Sequence, residues 1–305
     1  MKLKTSVQDE ILSDIETIQK DEKLCQEKNF SLRAQAIDFI EFHVIDRINV
    51  LMDSTDAADR MNLLNQYAAT VKLHLENTDA SMFYRLRKMI SQEENKGKLL
   101  MDLVEEYLEY NFNTCLQQDA TGYDNLDIFL NGLLTNQKMP VETKSREREM
   151  IFYQKTPARI IMEVVKKAEF KSHDVFVDLG AGLGHVVILV NLLTSVMSKG
   201  IEFEPAFCNY AKACVAELNL TRAEFINMDA RYADYSSGTV FFMYTPFEGK
   251  MLEEVLQNVE NETKRRKIKI FTYGPCTPKV AKQGWLTNGN DMQHWPSQFG
   301  EFVSV

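Results

Sequence analysis

The sequence predicts an α/β protein in which an open, mostly parallel sheet follows an all-α helical domain. Three observations predict it. Apolar residues step by three and four through the first half, and short β-branched runs alternate with helical stretches from Ile151 onward. The first such run ends in three glycines within five residues, Gly180, Gly182 and Gly184. Repeated strand–helix units imply parallel strands with helices on both faces. A glycine cluster at a strand's carboxyl end marks where such sheets bind ligands.

In the helical part, Val7, Ile11, Ile15 and Ile18 share one face. Ile37, Ile40, Val44, Ile48 and Leu51 do the same behind Ser31, the expected N-cap. Ala57, Met61, Leu64, Ala68, Val71 and Leu75 form a third apolar stripe. It is too short for the three to four heptads of a coiled coil, so packing within one antiparallel bundle is expected. Further helices are expected near 80–94, 98–112 and 124–134. Residues 136–148, with Pro140 and a run of charges, read as a linker. The expected domains are therefore 1–145 and 146–305, and about two suit a chain of 305 residues.

In the second part, residues 175–177 read as a strand and 186–193 as a buried helix. Strands follow at 200–203, 224–227, 239–243 and 269–273, with helices at 206–218 and 249–262. Residues 299–305 read as a final strand, expected to be antiparallel.

Residues 1–145 hold 16 Lys and Arg against 25 Asp and Glu, net −9, whereas residues 146–305 hold 19 of each. A nucleic-acid-binding module would carry the opposite sign, so no nucleic-acid partner is expected. The acidic half could attract a basic protein, or simply confer solubility. No apolar run approaches the roughly 18 residues of a membrane span, and the charged N-terminus has no secretory core. Cys25, Cys115, Cys208, Cys214 and Cys276 are scattered, as thiols of a cytoplasmic protein would be. His43, His74, His173, His185 and His294 have no ligand spacing, so no metal is expected.

The glycine loop carries the chemistry. Three glycines let the backbone turn sharply and approach a ligand. A dinucleotide fingerprint needs its third glycine at position 185, which is His185. Asp178, just before the turn, would repel phosphates gathered at the helix N-terminus. S-adenosyl-L-methionine has no phosphate and carries an ammonium and a sulfonium, so Asp178, Gly180, Gly182 and Gly184 suit that cofactor. The competing reading is an ordinary glycine turn.

The ribose hydroxyls need a carboxylate about 20 residues on. Glu202 stands 18 residues past Gly184, and Glu204 could take the role instead. Asp229, after the third strand, could accept from the adenine amine beside an apolar neighbour, Ala230, or be a turn residue. Tyr244, Thr245, Pro246 and Phe247 end the fourth strand, where a nucleophile would meet the methyl group. There Tyr244 would orient an amine and Phe247 flank it, or Pro246 would merely end the strand. Lys264, Arg265, Arg266 and Lys267 offset a helix dipole.

Together these residues resemble class I S-adenosylmethionine methyltransferases, and among them the histone lysine methyltransferases of the disruptor-of-telomeric-silencing type. Asp174-Val-Phe-Val-Asp-Leu-Gly-Ala-Gly-Leu-Gly-His-Val-Val187 is close to that family's Asp-Leu-Phe-Val-Asp-Leu-Gly-Ser-Gly-Val-Gly-Gln-Val-Val. Tyr153-Gln-Lys-Thr156 stands where the family has Tyr-Gly-Glu-Thr, and Gly200-Ile-Glu202 where it has Gly-Val-Glu. The resemblance covers residues 150–275 and implies a Rossmann-like class I methyltransferase sheet. It implies that Tyr153 and Thr156 fold over the cofactor, that His185 belongs to its loop and that Glu202 holds the ribose. The sequence departs at Tyr244, Thr245 and Pro246, where the family has Asn-Asn-Phe, and it lacks the family's long basic nucleosome-binding segment.

The expected function is S-adenosylmethionine-dependent methyl transfer, with a protein lysine amine as one acceptor. The alternatives are a small-molecule or RNA methyltransferase, or a cofactor-binding scaffold without catalysis. The expected partner is a protein or small-molecule methyl acceptor, with no membrane. Residues 1–145 are expected to contact the substrate or a second subunit.

Overall fold

The computed structural model describes residues 6–52, 58–108, 122–135, 137–289 and 299–305. Ala57, Cys115, Asn136, His294 and residues 109–112 of the helix expected at 98–112 lie outside them. The chain forms two compact units, Met1–Leu86 with Leu103–Tyr110, and Arg87–Asp102 with Asn111–Val305. No helix among the described residues is long and apolar enough to cross a membrane.

The first unit contains α1 (Val7–Lys20), α2 (Phe30–Phe39), α3 (Asp46–Met52) and most of α4 (Ala58–Gln92). A π-helical segment, Ile40–Ile45, joins α2 to α3. The stepping residues form its core: Ile11, Ile15, Ile40, Val44, Ile48, Met61, Leu64, Ala68, Val71 and Leu75 are all buried. Two expectations need correction. Ser31 is not the N-cap, because α2 begins at Phe30 behind Asn29. The Asn29 amide instead reaches back to the Lys23 carbonyl at 3.0 Å. The stripes at 57–75 and 80–94 are one helix of 35 residues, α4, since no glycine or proline interrupts it.

Arg33, fully buried, ties this unit together. Its Nε donates to Asp79 at 2.6 Å, and its Nη1 donates to the carbonyls of Leu24 and Gln26 at 3.1 and 2.8 Å. A buried guanidinium is tolerated only when paired and hydrogen-bonded.

The second unit holds the first residues of α5 (Lys96–Leu108), then α6 (Asn125–Leu134), α7 (Ala158–Ala168) and the sheet. Asp124 caps α6, and Asp127 returns the bond to the Asp124 amide at 3.0 Å. The other Asp127 oxygen accepts from the Ala158 amide at 2.7 Å, so the start of α6 also caps α7.

The strands are β1 (Val175–Leu179), β2 (Met197–Glu202), β3 (Ala223–Asn227), β4 (Val240–Tyr244), β5 (Lys269–Tyr273), β6 (Leu286–Asn288) and β7 (Gly300–Ser304). They lie in the order β3-β2-β1-β4-β5-β7-β6. The first five strands pair in parallel, and β7 runs antiparallel to both β5 and β6. This is the expected Rossmann-like sheet with its antiparallel last strand. β2 begins at Met197, before the expected Gly200, because Met197, Ser198 and Lys199 pair with β1 despite lacking β-branched side chains. β6, only three residues long, carries no alternation to read. Between the strands run α8 (His185–Thr194), α9 (Pro205–Glu217), α10 (Gly249–Thr263) and the single turn α11 (Thr277–Val280). The order reverses between β1 and β4, which opens a crevice at the carboxyl ends of these strands.

Candidate active site

A pocket opens at that crevice. Its lining includes Asp178, Gly180, Gly182 and His185 from the glycine loop, Glu202 and Glu204 after β2, and Asp229 and Ala230 after β3. Tyr244, Thr245 and Phe247 after β4 line it too, as do Tyr153 and Thr156 from the segment before α7. Of the predicted site residues, Gly184 alone is outside the lining. It sits one step behind, as the left-handed residue that starts α8.

Glycine is required at Gly180 and Gly182, both at positive φ. A Cβ on Gly180 would collide with Pro246, and one on Gly182 with the Tyr153 ring. The Tyr153 ring therefore lies directly against the loop. It also packs edge-on against Phe207 at 5.6 Å, and its hydroxyl stands 3.4 Å from His185 Nδ1. Burial, aided by the Lys155 charge, lowers His185 to about 3, so the imidazole is neutral at physiological pH.

Two carboxylates face the pocket, and among the described residues neither forms an ion pair. Asp178 is 3% exposed and accepts no hydrogen bond from the described residues. Burial, reinforced by Glu202, pushes it well above the usual carboxylate range. Glu202 accepts from the Gly182 amide and the Glu204 amide, each at 2.7 Å. Burial still raises it, against those bonds. Each carboxylate keeps lone pairs for a ligand. Two buried acids that interact with each other and have no counter-charge among the described residues fit a cationic cofactor that needs ribose acceptors, as S-adenosylmethionine does.

Glu204 is differently employed. It accepts from the Thr143 amide and hydroxyl at 2.9 and 2.6 Å, from Lys144 N at 2.8 Å and from Ala206 N at 2.9 Å, the last capping α9. Burial would raise it, but these bonds prevail and hold it at about 2. The stretch read as a linker thus becomes a strap over the pocket, with Glu142, Lys144 and Arg146 in its wall. The Lys144 ammonium rests 4.4 Å from the Phe203 ring centroid. Sequence reasoning missed this strap because its partners lie some 60 residues away.

Asp229 lines the pocket while held by Arg231, whose Nη2 donates at 2.6 Å and reaches Glu147 at the same distance. Met228, 40% exposed, sits beside it as an apolar surface that sequence reading passed over. At the end of β4, Thr245 adopts φ +37°. Its hydroxyl is spent on the Tyr273 carbonyl and the Cys276 amide, each at 3.1 Å. Phe247 is buried in the sheet core and bridges to Met150.

Residues 148–264, less than half of the chain, match the family described as "Histone methylation protein DOT1". This part of the chain is a class I S-adenosylmethionine-dependent methyltransferase resembling that family. No curated protein matches the methyltransferase. Similar solved structures include an RNA methyltransferase from Salinibacter ruber, 18% identical over 50% of this chain and 92% of its own, TM-score 0.40. A SAM-dependent methyltransferase from Aquifex aeolicus is 18% identical over 48% and 89%, TM-score 0.37. Ribosomal protein L11 methylase from Lactobacillus delbrueckii subsp. bulgaricus is 12% identical over 48% and 77%, TM-score 0.38.

Proposed function

We propose that this methyltransferase acts on a protein, at a lysine side-chain amine, in the cytoplasm. The pair of buried, uncompensated carboxylates carries the cofactor half of this reading, and the histone methylation description of the matched family supports the acceptor half. The cofactor, when bound, supplies an electrophilic methyl group on a sulfonium.

The glycine loop, Tyr153, Thr156 and His185 form its cradle. Glu202 takes the ribose hydroxyls, because Glu204 is committed to the strap and to the α9 cap. Asp178 faces the cofactor's cationic end, and Asp229, Ala230 and Met228 surround the adenine. Tyr244, Thr245 and Phe247 border the acceptor.

Two measurements test this reading. Glu202→Ala should weaken S-adenosylmethionine binding by roughly 1.5–3 kcal/mol, the worth of hydrogen bonds to a charged group, in a variant that thermal melts show to be folded although the Gly182 and Glu204 amides lose their acceptor. Calorimetry finding unchanged affinity would remove the ribose role. Incubation with tritiated cofactor, purified histones and a cell extract should place label in protein, recovered as methyl-lysine after hydrolysis. Label confined to RNA or small molecules would overturn the acceptor class.

A further inference from the structure

We propose that Tyr244 and Tyr273 form the acceptor subsite, their two phenol oxygens receiving the two N–H bonds of a primary amine. The inference rests on the methyl-transfer reading and deepens it, because Tyr273 lies outside every motif of the cofactor site.

Four observations carry it. Tyr244 and Tyr273 are register partners at the ends of the parallel strands β4 and β5, so their side chains leave the same face of the sheet. Their ring centroids are 4.6 Å apart at 51°, a wall rather than a two-sided cage. Neither hydroxyl makes a hydrogen bond with a described residue, whereas the nearby Tyr123 hydroxyl is spent on the Lys155 carbonyl. The backbone is shaped to hold the pair. Thr245, a β-branched residue at φ +37°, is pinned to the Tyr273 carbonyl. Gly274 stands at φ +85°, where a Cβ would meet the Thr245 hydroxyl oxygen at 2.8 Å and the Tyr244 ring at 3.0 Å.

The chemistry follows from hydrogen-bond counting. A neutral primary amine has two N–H donors and one lone pair. Two acceptor oxygens satisfy both donors and leave the lone pair free. The incoming ammonium first releases one proton to water. The nitrogen lone pair then forms the N–C bond as the C–S bond breaks, its electron pair staying on sulfur. Burial raises both phenols, so they stay protonated and act as hydrogen-bond partners rather than as bases. A secondary amine keeps only one N–H, so it is held less well than the primary amine.

The test uses the full chain with Tyr244→Phe and Tyr273→Phe, after thermal melts establish that each variant is folded. Binding of Nα-acetyl-lysine methylamide to the protein loaded with S-adenosylhomocysteine is measured by calorimetry, with Nα-acetyl-norleucine methylamide as control. Each variant should bind the lysine amide three- to tenfold more weakly, the effect of one lost hydrogen bond, while S-adenosylhomocysteine affinity stays within twofold. Under turnover, mass spectrometry should find a larger dimethyl-to-monomethyl ratio in both variants than in the parent. If both variants match the parent in amine affinity and product ratio while methyl transfer proceeds, the subsite is wrong and the reaction stands. If the amine binds through both hydroxyls but no methyl is transferred, the reaction reading fails and the subsite stands.

Discussion

Asp178 and Glu202 are two acids whose ionisation burial disfavours, and a cation reverses the balance. With folded values raised, their contribution to stability is fully present below the ordinary carboxylate range and declines as pH rises through the folded values. The free protein should therefore lose stability as pH rises through that titration, and the stabilisation gained from S-adenosylmethionine should grow over the same interval. Binding should release protons on its acidic side. Calorimetry in buffers of different ionisation enthalpy checks this, and proton-independent binding at every pH would show that neither acid answers the cofactor's charge. Gly182 tests the geometry at the same scale. Gly182→Ala should cost about 1–3 kcal/mol of stability, the usual range for overpacking, and should weaken cofactor binding, because its Cβ displaces the Tyr153 ring. Equal melting curves and affinities would mean that the ring moves aside without consequence.

At the scale of elements, Glu204 joins the strap to the first turn of α9. Glu204→Gln keeps the shape but removes the charge behind four hydrogen bonds. A loss of about 2 kcal/mol is expected from the weakened bonds to a charged acceptor. Because the folded value is depressed to about 2, this contribution is complete above the ordinary glutamate range and fades as pH falls toward 2. The difference between parent and variant, read by urea unfolding, should shrink on acidification. A difference that grows instead would place the group's stabilising role elsewhere. Hydrogen exchange at the Thr143 and Lys144 amides should rise in the variant, since both donate to this carboxylate.

For the whole molecule, the division into units decides where the chain can be cut. Residues 1–145 were expected to separate from the cofactor domain, yet Arg87–Asp102 and the helix α6 pack in the unit that contains the sheet. Arg87 pairs with Glu217 at 2.8 Å, and Leu126, Phe129, Leu130, Leu133 and Leu134 are all buried. A chain beginning at Lys144 loses these side chains and the Asp127 cap on α7, so it should melt well below the full protein or fail to fold. Recovery of a stable truncated protein with full cofactor affinity would show that α6 is dispensable.

The sequence by itself determined the features that are local. Stepping apolar residues marked the helical core, since side chains three and four apart share a face wherever the helix packs. The alternation of strands and helices, the glycine loop, Asp178 and Glu202 were legible because each lies within one β-α unit. Tertiary structure alone decided how distant segments share those residues. It committed Glu204 to the strap and to the α9 cap, turned the linker at 142–146 into a pocket wall, and set Tyr273 beside Tyr244. Each depends on which strands become neighbours and which loops cross the sheet's carboxyl edge. Such pairings form across 28 to 61 residues, where no periodicity in the chain records them.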